Sequence, residues 1–335
     1  MKFAKAYLAV TAIAAAAFAA SFVDKVVASD AQPRMVVVHK QVNTPGIQII
    51  GQGVIKGAKK YGIDASITGP TTLDPAQQLK VVQDLIAQKV DVLGIVPLDV
   101  NVLGETLKGA MDAGIKVISH EGGSLPYKDW NIDLVVPKAF GEKEMQVLAK
   151  AMGEKGEYVV VVGTLTTPEH NKWADYAVAY QKEHYPDMKQ ATDRLPGGDD
   201  VDASQQLALD VMKAHPAVKG FIVEGSNGPI GIGNSLRQLH MQGKVGVVGT
   251  CFPSQAKQNL VDHVITECTW WNPIDSGVAM VAVARQMIDG KPFVDGADIG
   301  GLGKAHVDAA NHEIQFDQIL EVTTDNVDAL IKTGL

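Results

Sequence analysis

The sequence predicts an α/β fold of two similar lobes, each built on a parallel sheet. Three observations carry this. Short apolar runs alternate with amphipathic helical stretches, one helix start recurs along the chain, and polar residues cluster just after the apolar runs.

Residues 35–38 form the first apolar run, and 92–96, 117–119, 158–162, 221–223 and 245–248 follow. Short continuous runs of this kind suit parallel strands buried on both faces. Helices fall between them. Asp74-Pro75-Ala76-Gln77 reads as a helix start, with an N-cap Asp, Pro in the first turn and Gln at the capping-box position. Leu79, Val82, Leu85 and Ile86 then mark one apolar face. Leu103, Leu107 and Met111 mark the next helix, which Gly114 ends. Asp74-Pro75-Ala76-Gln77-Gln78-Leu79 recurs as Asp202-Ala203-Ser204-Gln205-Gln206-Leu207, and each copy leads into an apolar run. Two related arrays of strands and helices imply two lobes.

The first residues are set apart from this pattern. Lys2 and Lys5 precede an apolar, alanine-rich run over 6–22, and Val26-Val27-Ala28 offers a small-residue cleavage site. Residues 1–28 therefore read as a signal peptide, and the mature chain as exported to a periplasm. The whole chain carries a formal charge of −8. Removing 1–28 leaves 27 basic against 37 acidic residues, or −10. An acidic chain without a basic face is no nucleic-acid binder. Cys251 and Cys268 are the only cysteines. In an oxidising compartment they either bridge or stay as two buried thiols, and counting does not decide which.

In open parallel sheets, ligands sit beyond the carboxyl ends of the strands. The residues that follow each run are therefore the candidates: Lys40 after the first, Glu121 after the third, Glu169 and His170 after the fourth, Glu224 and Ser226 after the fifth, and Trp271 and Asn272 later on. Carboxylates, amides, a lysine and flat indoles together are the equipment for a small polyhydroxylated molecule. Trp173 competes between this role and core packing. No metal or cofactor motif accompanies them. Lys304 is followed by Ala rather than Ser or Thr, so the glycine-rich 300–304 stretch is no phosphate loop, and His120-Glu121 lacks the second histidine of a zinc helix. Glu121 and Glu169 as an acid/base pair on a glycosidic bond is the enzymatic alternative.

Several fragments, in this order and spacing, resemble the type I periplasmic binding proteins of sugar transporters. They most resemble the branch holding the autoinducer-2-binding and rhamnose-binding proteins. The carriers are Gly69-Pro70-Thr71 and the Gln77-Gln78-Leu79 helix, Lys89-Val90-Asp91-Val92, and Ala113-Gly114-Ile115-Lys116-Val117-Ile118 into Glu121. Glu169 to Trp173 and Trp271-Asn272 complete the set. The resemblance implies two Rossmann-like lobes with parallel sheets joined by a three-crossing hinge. The implied division is 29–135 plus 272–300 for the N-terminal lobe and 136–271 plus 301–335 for the C-terminal lobe, with crossings near 134–137, 269–272 and 300–312. It implies a monomer that captures a sugar or polyol and delivers it to the permease and ATPase of an ABC transporter, with a chemoreceptor or sensor kinase as the alternative partner. It keeps Lys40 and puts Glu121 and Glu169 where the autoinducer-2 branch has aspartates. His170 stands where that branch has glutamine, and Glu224 and Ser226 replace a proline and an alanine.

Overall fold

The computed structural model describes residues 32–43 and 45–335. The expected signal peptide lies outside them. The first lobe starts with β1 (Arg34–Val38), α1 (Pro45–Tyr61), β2 (Asp64–Thr68), α2 (Pro75–Ala87), β3 (Val92–Ile95), α3 (Val100–Asp112), β4 (Lys116–His120) and β5 (Trp130–Asp133). The chain then enters a second lobe through α4 (Pro137–Met152). There it forms β6 (Gly156–Val162), α5 (Pro168–His184), β7 (Met188–Gln190), β8 (Leu195–Pro196), α6 (Val201–Ala214), β9 (Val218–Val223), α7 (Gly228–Gln238), β10 (Gly246–Thr250), α8 (Pro253–Val261) and β11 (Glu267–Trp270). It returns through α9 (Pro273–Ile288), β12 (His306–Asp308) and β13 (Glu313–Gln315), and ends with β14 (Leu320–Val322) and α10 (Val327–Ile331).

The first sheet runs β12-β13-β5-β4-β3-β1-β2 and the second β14-β11-β10-β9-β6-β7, with β8 also on β6. All pairings are parallel except β12 with β13 and β11 with β14. The predicted α/β class and its two parallel sheets are therefore present. The central strands β1, β3, β4, β6, β9 and β10 are buried along most of their length, because helices cover both faces, while edge strands such as β2 and β12 stay partly exposed. Helices α1 and α9 pack together closely: a side chain at Gly53 would run into the Ile274 carbonyl, and one at Gly277 into that of Ile50.

Two sequence expectations need correction. The second copy of the helix start is displaced. Asp74 caps α2, its side chain accepting from the Ala76 and Gln77 N–H groups, but α6 is capped by Asp200 and Asp202 lies in its first turn. The buried Gln78 thus corresponds to the buried Ser204, not to Gln206, which is exposed. The architecture repeats, while the matched letters are two residues out of register. The third crossing also lies later than expected. Strands β12 and β13 extend the first sheet, with β13 parallel to β5, so residues 306–315 belong with the first lobe rather than the second. The chain crosses between Gln315 and Leu320. A five-stranded sheet ending at β5 would have left an open edge, and β13 covers it.

Candidate functional site

In each sheet the strand order reverses beside one strand, β1 in the first and β6 in the second. A crevice opens at such a point, beyond the carboxyl ends of the strands. The two crevices face each other. Between the lobes they form a cavity of ≈ 650 Å³, solvent at its mouth included, lined by Lys40, Glu121, Asp199, Ser226, Asn227 and Thr250 among its polar residues. Trp173, Trp270, Trp271 and Phe252 supply its apolar wall. Trp271 stacks on Trp270 with ring centroids 4.6 Å apart, and meets Trp173 edge-on at 5.5 Å.

At the centre, Lys40 is 7% exposed, and its Nζ donates to Glu121 Oε2 at 2.8 Å. Burial alone would lower the lysine, but Glu121 and Asp199 hold it above its ordinary value. Burial likewise opposes ionisation of Glu121, yet Lys40 and the neighbouring His120 and His170 bring its carboxyl down to about 2. The pair is a zwitterion over the physiological range. Glu121 adopts a left-handed φ of 57°, a conformation that costs a non-glycine residue free energy and that the surroundings must enforce. Here Asp133 Oδ1 accepts from the Glu121 N–H at 3.0 Å, and Asn131 Oδ1 accepts from the next N–H, that of Gly122, at 2.9 Å.

His170 of the second lobe closes the group. Its Nε2 lies 3.2 Å from Lys40 Nζ, and its Nδ1 accepts from the Gly163 N–H at 3.1 Å. Burial, then Lys40, lowers its pKa to about 4, so the ring is neutral at neutral pH. A neutral imidazole accepts at one nitrogen only. With Nδ1 taken by a backbone donor, Nε2 carries the proton and faces the ammonium. Two donors thus meet side by side, and one acceptor oxygen beside the pair can take a bond from each. Asp199 completes the polar wall. Its carboxylate sits in a niche that a side chain at Gly163 would fill, and its buried Oδ2 accepts no hydrogen bond from the described residues.

Of the eight candidate residues, Lys40, Glu121, Ser226 and Trp271 line this cavity, and His170 touches it through Lys40. The other three do not. Glu169 faces a second groove. Asn272 caps α9, accepting from the Ile274 N–H and donating to Asp275. Glu224 is fully buried inside the second lobe, carboxyl to carboxyl with Glu144 of α4. Burial pushes Glu144 up to about 7, and burial together with the Glu144 charge holds Glu224 well above the carboxylate range. Thr269 Oγ1 donates to Glu144 at 2.6 Å. Sequence reasoning missed Asp199, Thr250 and Phe252. Thr250 and Phe252 follow the run at 245–248 and the strand-end rule would have found them. Asp199 follows β8, only two residues long, and Gly197-Gly198 was its one signal.

The Glu144–Glu224 pair sets a pH dependence of stability. Both carboxyls bind protons more tightly folded than unfolded. Their stabilisation is complete below the ordinary carboxylate value and is lost as pH rises through the raised one, about 7 for Glu144. Glu224→Gln removes one of the two buried ionisable carboxyls. It is expected to raise stability above about pH 7 by about 1–3 kcal/mol and to flatten the profile. Thermal unfolding across pH reads this, and an unchanged slope in the variant would refute the coupling of the two carboxyls.

Two α/β lobes around a polar, aromatic-walled cleft define a two-lobed binding protein. The periplasmic binding protein domain matches residues 9–292, and the chain belongs to that family. It is 25% identical to the D-ribose/D-allose-binding protein of Pseudomonas aeruginosa over 183 residues, 52% of this chain and 56% of that one. It is 26% identical to the xylitol-binding protein of Mycolicibacterium smegmatis over 178 residues, 52% of this chain and 49% of that one. The chain thus spans about half the length of the curated relatives it matches. In fold it is similar to an ABC transporter solute-binding protein of Clostridium phytofermentas solved with L-rhamnose, with a TM-score of 0.82 at 20% identity, covering 90% of this chain and 99% of that one. LsrB of Clostridium saccharobutylicum, solved with AI-2, gives 0.80 at 17%, covering 88% and 99%.

Proposed function

We propose that this protein is the exported solute-binding component of an ABC importer, and that it captures a neutral monosaccharide or short polyol by closing its lobes. The observation that carries the reading is the meeting of Lys40 and Glu121 from one lobe with His170 and Asp199 from the other, beside four aromatic rings. Lys40 and the His170 N–H offer donors to a ligand oxygen, Asp199 accepts from hydroxyls, and the indoles cover the apolar face of a ring or chain. The sugars and polyols named for the relatives above point the same way. Binding rather than catalysis fits the placement of Glu121 on the ligand cavity and of Glu169 on a second groove.

Ligand contacts from both lobes favour the closed form only by their differential affinity for it. The hinge comprises the crossings at 134–136, 271–272 and 316–319. A thermal-shift panel of D-ribose, D-allose, xylitol, L-rhamnose and D-arabinose tests the reading. Ligand at about 100 times its dissociation constant adds about 2.7 kcal/mol, a clear rise in melting temperature. Small-angle scattering is expected to show compaction with the binding compound. A ligand that raises the melting temperature while the radius stays constant would count against closure. Turnover of glycosides by the purified protein would count against a pure binding role.

A further inference from the structure

The groove that Glu169 faces lies beside the ligand cavity and is also formed by both lobes. It offers ≈ 1810 Å³ of space, open solvent included, and Lys128, Glu313 and His306 of the first lobe line it opposite Glu169 and Lys172 of the second. Glu169 is 1% exposed, and neither of its carboxylate oxygens accepts a hydrogen bond from the described residues. Only Lys172, one turn along α5, approaches, at 3.5 Å from Oε1. Across the interface stands Gly123. A Cβ there would lie 2.8 Å from Glu313 Oε1 and 3.2 Å from Glu169 Oε1. Two carboxyls from opposite lobes therefore converge on one point, their oxygens within about 6 Å of each other, close enough for like charges to oppose each other's ionisation. Asp133 is tied into the same group, since Asn131 Nδ2 donates both to Asp133 Oδ2 and to Glu313 Oε2 at 2.7 Å.

We propose that the lobe interface carries a proton-binding site, formed by Glu169 of one lobe against Glu313 and Asp133 of the other, whose occupancy sets how firmly the lobes close on ligand. It rests on the closure reading above and concerns its regulation. The charged groups facing Glu169 are Lys172 on its own helix, Asp133 and Glu121 at the ends of β5 and β4, Glu313 on β13, Lys128 in the loop before β5, and Lys40 beyond Glu121. His120 lies behind Asp133, at 3.8 Å. Lys40 and Glu121 cancel. Three carboxyls then face two lysines, an excess negative charge in a buried place, and a proton removes it at least cost. Burial first, then Asp133, holds Glu169 well above the carboxylate range, and Glu313 and Asp133 are raised as well. Opening the lobes separates Glu169 from Glu313 and Asp133 and returns it to water, where it ionises at its ordinary value. Closure therefore takes up a proton. The closed form is favoured as pH falls and loses ground as pH rises through the raised value. Below the ordinary carboxylate value both forms hold the proton, and the dependence vanishes.

The test measures the dissociation constant of whichever binds among D-ribose, D-allose, xylitol, L-rhamnose and D-arabinose. It uses the mature chain from about pH 5 to about pH 9. Fluorescence energy transfer between labels on the two lobes follows closure in the same samples. In the wild type, affinity is expected to weaken with rising pH by up to about tenfold per unit, as one proton requires. Glu169→Gln is expected to bind with little pH dependence and to keep the high affinity of the protonated form. Glu313→Gln is expected to move the transition to lower pH. Glu224→Gln, inside one lobe, should leave it unmoved. A pH-independent wild-type affinity, or a Glu169→Gln variant with the wild-type slope, overturns the proton site while leaving closure intact. If no compound changes the interlobe distance at any pH, the closure reading fails, and this proposal with it.

Discussion

Lys40→Met is expected to cost about 3 kcal/mol of stability and to abolish the thermal shift by any ligand of the cleft. The ammonium is buried, and its partner Glu121 is buried with it, 2.8 Å away. Lys40 is the main group that keeps the Glu121 carboxyl low, near 2. Without it Glu121 has only histidines nearby, and His170 is neutral above a pKa of about 4. Breaking a buried pair leaves an uncompensated charge, whereas replacing both members is far milder. The double variant Lys40→Met/Glu121→Gln is therefore expected to recover most of the lost stability and none of the binding. That split separates two roles. The pair as a unit matters little to the fold, but the lysine donates to the ligand in the proposed reading. Denaturant unfolding and the sugar panel, run on all three variants, read it. A Lys40→Met protein that kept both its stability and its thermal shift would remove Lys40 from the site.

Much of this arrangement is visible in the sequence because burial on two faces leaves an unmistakable mark. Runs such as 158–162 have no polar interruption, and each became a strand within three residues of its expected ends. Strand ends also locate the cleft, since a parallel sheet leaves its functional loops on one edge. Side-chain direction is a different matter. Glu169 and His170 are neighbours, yet one faces the groove and the other Lys40. Adjacent residues at a helix start point about 100° apart, and letters do not reveal which way the first one faces. Glu224 and Ser226 show a related limit. Both follow β9, but only Ser226 reaches the cavity, because Glu224 continues the strand inward to meet Glu144. The recurrence at Asp202 misleads for a third reason. Asp, Ala and Gln are good near any helix start, so a match in letters can slip by two residues while capping and burial keep the true register at Asp200 and Ser204. The third crossing was misplaced because β12 and β13, three residues each, carry no apolar run long enough to announce a strand.

Cys251 follows β10, Cys268 lies on β11, and the two are joined by a disulfide with Cα atoms 5.7 Å apart. Both are fully buried between adjacent parallel strands. The bond closes a loop with a sequence separation of 17, which contains α8. In the chain-entropy account, a loop of that length restricts the unfolded state by about 3 kcal/mol. Cys251→Ala/Cys268→Ala is therefore expected to lower the unfolding free energy by about 3 kcal/mol. Alanine avoids placing a hydroxyl in an apolar pocket. Reductant should lower wild-type stability by a similar amount and leave the double variant unchanged, which separates the bond from any loss of packing. The same strands carry Thr250 at the end of β10 with Phe252 beyond it, and Trp270 at the end of β11 with Trp271 beyond it, all on the cavity wall. The bond is thus placed where a loosening of the two strand ends would widen the cleft. Its loss should weaken sugar binding by less than Lys40→Met does, because the wall loosens while the central donors stay. Denaturant titration with and without reductant checks the stability effect. A wild type whose unfolding is indifferent to reductant would show that the bond adds nothing to stability.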